Sequence, residues 1–240
     1  MDEIRMEPVD REDCMEEDKS PGAEHLVPAP NDLIKLVAVL SMLVDHIGMV
    51  FFPQVAILRL LGRVAFPLFA YQLGISWRCT RSKPKLALRL LIFGLLAQPA
   101  FYALTGNWNV MFTLLYCLGM FWIMDRWGTP GKILAFALAA ASYKLSFLDC
   151  ALFGPVCAFG YYAFPMYQKD DKMLLGFAYQ GLTTYLICVF LDARLQIYQL
   201  AALIFILYPF RKQIKIPKYF FYIFYPAHLT LFWGLWQLIK

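Results

Sequence analysis

From Leu33 to the carboxyl end, the chain divides into successive apolar runs of about twenty residues separated by short polar punctuation. A bilayer core about 30 Å thick takes roughly 20 apolar residues of helix per crossing, so the pattern predicts an all-α, polytopic transmembrane helix bundle. About nine spans are read, at 33–52, 55–77, 86–104, 110–125, 131–147, 150–167, 173–191, 195–210 and 219–239. The count ranges from eight to ten, because Lys144 and Asp149 crowd the short gap between the fifth and sixth.

Composition agrees: 60% of the residues are apolar, 17% aromatic and only 16% charged, too greasy for a soluble domain. It excludes a wholly disordered chain, a secreted disulfide scaffold and a nucleic-acid binder, despite a formal charge of +5. Residues 1–31 carry ten acids against Arg5, Arg11 and Lys19, which predicts a disordered acidic leader ahead of a transmembrane domain at 32–240. The leader has neither the basic start nor the apolar stretch of a signal peptide. Beyond it, nineteen Lys and Arg face seven Asp and no Glu. Sixteen of all the Lys and Arg fall on one side of the predicted spans and three on the other, which places the amino terminus in the cytoplasm of a cell-membrane protein and the carboxyl terminus outside. The six cysteines form no CxxC pair and no metal site is expected.

An ionisable side chain inside hydrocarbon is costly, so each is a functional candidate, with a structural ion pair as the rival reading. Asp45 is the one acid well inside a predicted span, and the three histidines are His25, His46 and His228. The first two spans are joined by only Pro53 and Gln54. Counting from that turn puts Asp45 ~10 Å and Arg63 ~12 Å deep, so the two are expected to pair and hold the helices in register. His46, about 9 Å below the outer end, and His228, ~14 Å from the cytoplasmic end of the last span, could line one cavity. A buried neutral imidazole suits a general base.

Lys35 precedes His46 by eleven positions, shares its helix face and sits ~16 Å away, at the cytoplasmic mouth, where it could meet an anionic cofactor; a snorkelling anchor is the rival. Gln98, Asn109 with Thr113, and Tyr225 ahead of His228 are supporting polar candidates. Prolines 67, 99, 155, 165 and 226 allow kinks around a cavity.

The stretches Asp32-Leu33-Ile34-Lys35, Val44-Asp45-His46, Gly62-Arg63-Val64-Ala65-Phe66-Pro67-Leu68-Phe69-Ala70 and Tyr225-Pro226-Ala227-His228 resemble the TraX family of conjugal-transfer membrane proteins, from about residue 32 to the end. That family includes the membrane protein required for N-terminal acetylation of F-type pilin, and it looks distantly related to integral-membrane acyltransferases. The resemblance implies an N-acetyltransferase that takes acetyl from acetyl-CoA to an amine, such as the amino terminus of a small membrane-embedded pilin. His46 would be the base, Asp45 and Arg63 the pair holding the first two spans, and His228 with Tyr225 a second wall. Lys35 stands at the spacing where those acyltransferases carry an Arg.

Two other classes fit the buried charges. A proton-coupled transporter or flippase would use Asp and His as relays, although no internal repeat is visible. A non-catalytic assembly factor would use them only to pair helices and would tolerate their joint replacement by apolar residues.

Overall fold

The computed structural model describes residues 31–166, 171–207, 216–217 and 219–239. The acidic leader lies outside these residues, as do Lys169, the end of the eighth predicted span and most of the basic 211–218 segment. The described residues are helical, with one isolated bridge between Trp108 and Leu148 and no strand. The helices are α1 (Asp32–Val50), α2 (Ala56–Gly62), α3 (Ala65–Cys79), α4 (Lys83–Thr105), α5 (Val110–Ala141), α6 (Phe153–Ala163), α7 (Asp171–Phe190), α8 (Ala202–Leu207) and α9 (Phe220–Ile239). Short 3-10 turns at Ser142–Lys144 and Arg194–Ala201 lead out of α5 and into α8.

Five helical stretches among the described residues are long and apolar enough to cross a membrane: Asp32–Val50, Ala56–Cys79, Lys83–Thr105, Val110–Lys144 and Asp171–Phe190. That is fewer than the nine apolar runs, and the reasons are local. The sixth run folds as the 11-residue α6, and the eighth is largely a 3-10 turn followed by the six-residue α8. The ninth forms the 20-residue α9, whose hydropathy is diluted by tyrosines, tryptophans, His228 and Gln237.

The second run is one stretch broken into α2 and α3. Pro67 has no N–H to give the carbonyl of Arg63, so the helix cannot run through and restarts at Ala65. The fourth stretch doubles back on itself. Gly128 takes a positive φ of 57° ahead of Pro130, a conformation glycine adopts without steric cost. The two legs then lie side by side: Tyr116 Oη donates to the Leu138 carbonyl at 2.9 Å. At their open end, Trp108 and the 147–149 segment exchange backbone hydrogen bonds.

Gly131 sits where the legs are closest, because a Cβ there would run into the carbonyl of Ile123. Gly131→Ala should therefore lower the thermal unfolding midpoint in detergent, by roughly 1–3 kcal/mol of stability. Gly119→Ala, with open space at its Cβ position, should leave it unchanged.

The core is centred on α3, which is buried on nearly every face and packs against α1, α5 and α6. Leu68, Ala70, Cys117, Phe121 and Ala158 lie in it with essentially no exposure. Outward faces carry Leu95, Leu96, Leu174, Leu182, Phe190 and Leu238 instead. A perimeter of exposed leucine beside a small-residue interior is the arrangement of a bundle solvated by lipid.

A polar knot ties the helix ends farthest from the 51–55 turn. Trp77 Nε1 and Lys83 Nζ donate to one oxygen of the Asp125 carboxylate at 2.8 and 2.9 Å, and the Tyr162 hydroxyl donates to the other. Arg78 stacks on the Tyr162 ring at 4.2 Å and caps its carbonyl. Four helices are thereby joined at that level.

Candidate functional site

The polar residues of the first two spans meet where the sequence arithmetic puts them. Asp45 Oδ1 accepts from Arg63 at 2.9 Å, and its Oδ2 accepts from Arg59 at 2.6 Å. Arg59 also reaches the Asp45 carbonyl at 3.3 Å, and Arg63 Nε donates to the Arg59 carbonyl at 3.1 Å. One carboxylate therefore bridges two guanidiniums four residues apart on a single helix face. The approach is close because Gly62 lies flat against Asp45, leaving no room for a Cβ, and Ser41 Oγ ties α1 to the Leu61 carbonyl at 2.7 Å.

His46, about 100° round the helix from Asp45, points into the bundle. There it meets His228 of α9: Nδ1 of His46 lies 2.8 Å from Nε2 of His228, with the rings stacked at 5.1 Å. Both are 5% exposed. Nδ1 of His228 lies 2.8 Å from the carbonyl of Phe224. A carbonyl only accepts, so this nitrogen carries the hydrogen. Its Nε2, in the neutral ring, must then accept from Nδ1–H of His46. The chain of bonds leaves Nε2 of His46 with its lone pair.

Tyr225 completes the wall. Its ring centroid is 6.3 Å from that of His46 and 5.6 Å from that of His228, with Phe101 edge-on to His46 at 6.2 Å. The Tyr225 hydroxyl is buried without a hydrogen-bond partner among the described residues. Asp149 approaches from the segment between α5 and α6, outside the helices, and the Asp45 and Arg63 charges both act on it. Burial, reinforced by the charge on Asp45, pushes its carboxyl up to about 6. Thr113, on α5, donates to the Asp149 carbonyl and fixes the segment.

The remaining candidates lie elsewhere. Gln98 and Asn109 join each other at the α4–α5 turn: Asn109 Nδ2 donates to Gln98 Oε1 at 2.9 Å and to the Gly94 carbonyl at 2.8 Å. Asn109 Oδ1 caps α5 through the Met111 N–H. Both polar atoms of the Asn109 side chain are thus engaged, Oδ1 in the cap of α5 and Nδ2 against α4. Lys35 sits at the opposite end of α1, 3.1 Å from Asp32 Oδ1 and above the Phe221 ring.

Sequence reasoning misses three residues. Arg59 could have been found, since it stands one helical turn before Arg63. Asp149 and the buried Gln72 carry no signal beyond being polar in a greasy stretch. Among the described residues, no group of three His, Cys, Asp or Glu side chains converges as a metal site.

The fold and this site define a polytopic helical membrane protein with a buried, directionally hydrogen-bonded imidazole pair. The chain belongs to the TraX family, whose sequence model, described as TraX protein, matches residues 30–236. It is 34% identical over 118 residues to Protein TraX of Escherichia coli, covering 46% of this chain and 48% of that protein. It is 32% identical over 131 residues to the Probable fimbrial assembly protein FimC, serogroup H1, of Dichelobacter nodosus, covering 45% and 53%. An uncharacterized protein of Rickettsia prowazekii (strain Madrid E) is 39% identical over 67 residues, covering 28% of this chain and 25% of that one. The chain thus spans between a quarter and about half the length of the curated relatives it matches. No solved structure matches it.

Proposed function

We propose that this chain is an integral-membrane N-acetyltransferase that moves acetyl from acetyl-CoA to an amine, with the amino terminus of a small membrane-embedded pilin as acceptor. The observation that carries the reading is the Phe224–His228–His46 chain of hydrogen bonds, which orients a buried imidazole with one basic nitrogen free. Nε2 of His46 takes the proton of the attacking amine as its nitrogen bonds to the acetyl carbon. The C–S bond breaks, and the proton passes to the departing thiolate, giving the amide and the free thiol. The Tyr225 hydroxyl donates to the carbonyl oxygen as it gains charge. Asp45, Arg59 and Arg63 lock the α1–α2 pair so that His46 keeps this direction. Lys35 receives the anionic end of the donor.

In this reading the chain crosses the cell membrane nine times, through α1, the α2–α3 pair, α4, the two legs of α5, α6, α7, residues 194–207 and α9. The amino terminus is cytoplasmic, on the side of the donor. The match to Protein TraX of Escherichia coli supports a TraX-type role for this chain. The name of the Dichelobacter relative places that protein in fimbrial assembly, the setting that the acetyltransferase and the assembly-factor readings share.

The purified chain incubated with labelled acetyl-CoA and a panel of amine-bearing peptides and lipids should pass label to an amine. Folded protein that transfers none to any acceptor overturns the reading.

A further inference from the structure

Two buried side-chain polar atoms among the described residues lack a hydrogen-bond partner: the hydroxyl of Tyr225, whose ring packs beside His46, and Nε2 of Gln72. Gln72 lies on α3 and is 3% exposed. Its Oε1 accepts from the Asn31 N–H at 3.0 Å, which fixes which end of the amide is the donor. Two N–H bonds are therefore held in the interior with nothing to receive them. A buried unsatisfied donor is destabilising, and native chains hold few, so each calls for an acceptor.

The surroundings say what kind of acceptor. Asn31 caps α1, so Gln72 stands at the same end of the bundle as Lys35, whose side chain leans back toward the helix start. Lys35 Nζ is held by Asp32 and by the Phe221 ring. Gln72 thus stands beside the start of α1, about fifteen residues or ~22 Å along the helix before His46, and Lys35 stands on the first turn of the same helix end, eleven residues or ~16 Å before it. That separation calls for a ligand that is extended, anionic and rich in acceptor oxygens at one end and reactive at the other.

We infer that Gln72, with Lys35, forms a subsite for the phosphate-bearing arm of an acyl thioester donor. Its Nε2 donates to an amide-carbonyl or phosphate oxygen of that arm. The inference rests on the acetyl-transfer reading and adds a residue that discriminates between donors. A short thioester lacking the phosphorylated arm reaches His46 without touching Gln72.

The test compares the full chain in detergent with its Gln72→Leu variant on two donors, acetyl-CoA and the truncated thioester of N-acetylcysteamine. Gln72→Leu should raise KM for acetyl-CoA about tenfold with kcat little changed, and leave kcat/KM for the short thioester at the wild-type value. It should unfold close to wild type, because it removes an orphaned donor but also the acceptor of the Asn31 N–H. An unchanged KM for acetyl-CoA, or an equal loss on both donors, overturns the subsite. If Gln72→Leu does not fold, Gln72→Met makes the same comparison. If wild type transfers acetyl from neither donor, the acetyl-transfer reading fails by itself. Calorimetric binding of free coenzyme A then decides the subsite: about tenfold weaker binding by the variant supports it, and equal binding overturns it.

Discussion

His46→Ala should lose acetyl transfer by roughly a thousandfold or more while staying folded, though unfolding somewhat below wild type, because a positioned general base contributes on the order of 10²–10⁴ and His228 loses its buried hydrogen-bond partner. His228 keeps its Nδ1–H on the Phe224 carbonyl, and its Nε2, left without the His46 donor, stands about one ring's width from where Nε2 of His46 was, so it replaces the base poorly. His228→Phe should be milder, about ten- to a hundredfold, because it leaves the base but frees it to adopt the other tautomer. The order matters more than either figure. If His228→Phe were as silent as His46→Ala, with both proteins folded, the second ring would be doing chemistry of its own. If folded His46→Ala kept full activity, the base assignment would be lost. The check is initial rates with labelled acetyl-CoA beside thermal unfolding in the same detergent.

The second large effect concerns Asp45. Asp45→Ala leaves Arg59 and Arg63 facing each other, half-buried, with their shared carboxylate gone. Removing one partner of such a group costs roughly 3 kcal/mol, so the variant should purify poorly and unfold well below wild type. The exchange of Asp45→Arg with Arg63→Asp restores the pair and should recover part of the stability but not transfer, because Gly62 is fitted to an aspartate at position 45 and Arg59 then faces a second guanidinium. Replacing Asp45, Arg59 and Arg63 together by apolar residues separates the two readings of the chain. A pure assembly factor tolerates it in a pilus-assembly assay, whereas the acetyltransferase loses activity as His46 loses its bearing.

Depth was legible in the sequence, and adjacency between distant helices was not. Asp45 and Arg63 could be matched because a two-residue turn sets a common zero for both spans, and helical rise does the rest. Arg59 escaped that arithmetic because a search for one partner stops at the first cation found. For His46 and His228, the sequence offers only their shared scarcity. That α9 packs on α4 and comes back to α1 is a property of the whole bundle, in which no local rule ranks neighbours.

Gln98 and Asn109 show the opposite difficulty. Their polarity was visible, but an asparagine just ahead of an apolar run is also a cap, and Asn109 is used as one. The number of crossings is blurred for a similar reason. Hydropathy reports apolar length, whereas Pro67, Gly128 and the 3-10 turn at Arg194–Ala201 decide how that length is divided into helices.

The two imidazoles stand 182 positions apart, on the first and last helices. A ribosome must therefore have delivered everything from α1 through α9 into the bilayer before they can touch. If the chain transfers acetyl as proposed, one that stops short of α9 is chemically silent, and reactivity switches on only as that helix arrives. Two separately expressed halves, each inert, should regain function when they meet in one membrane.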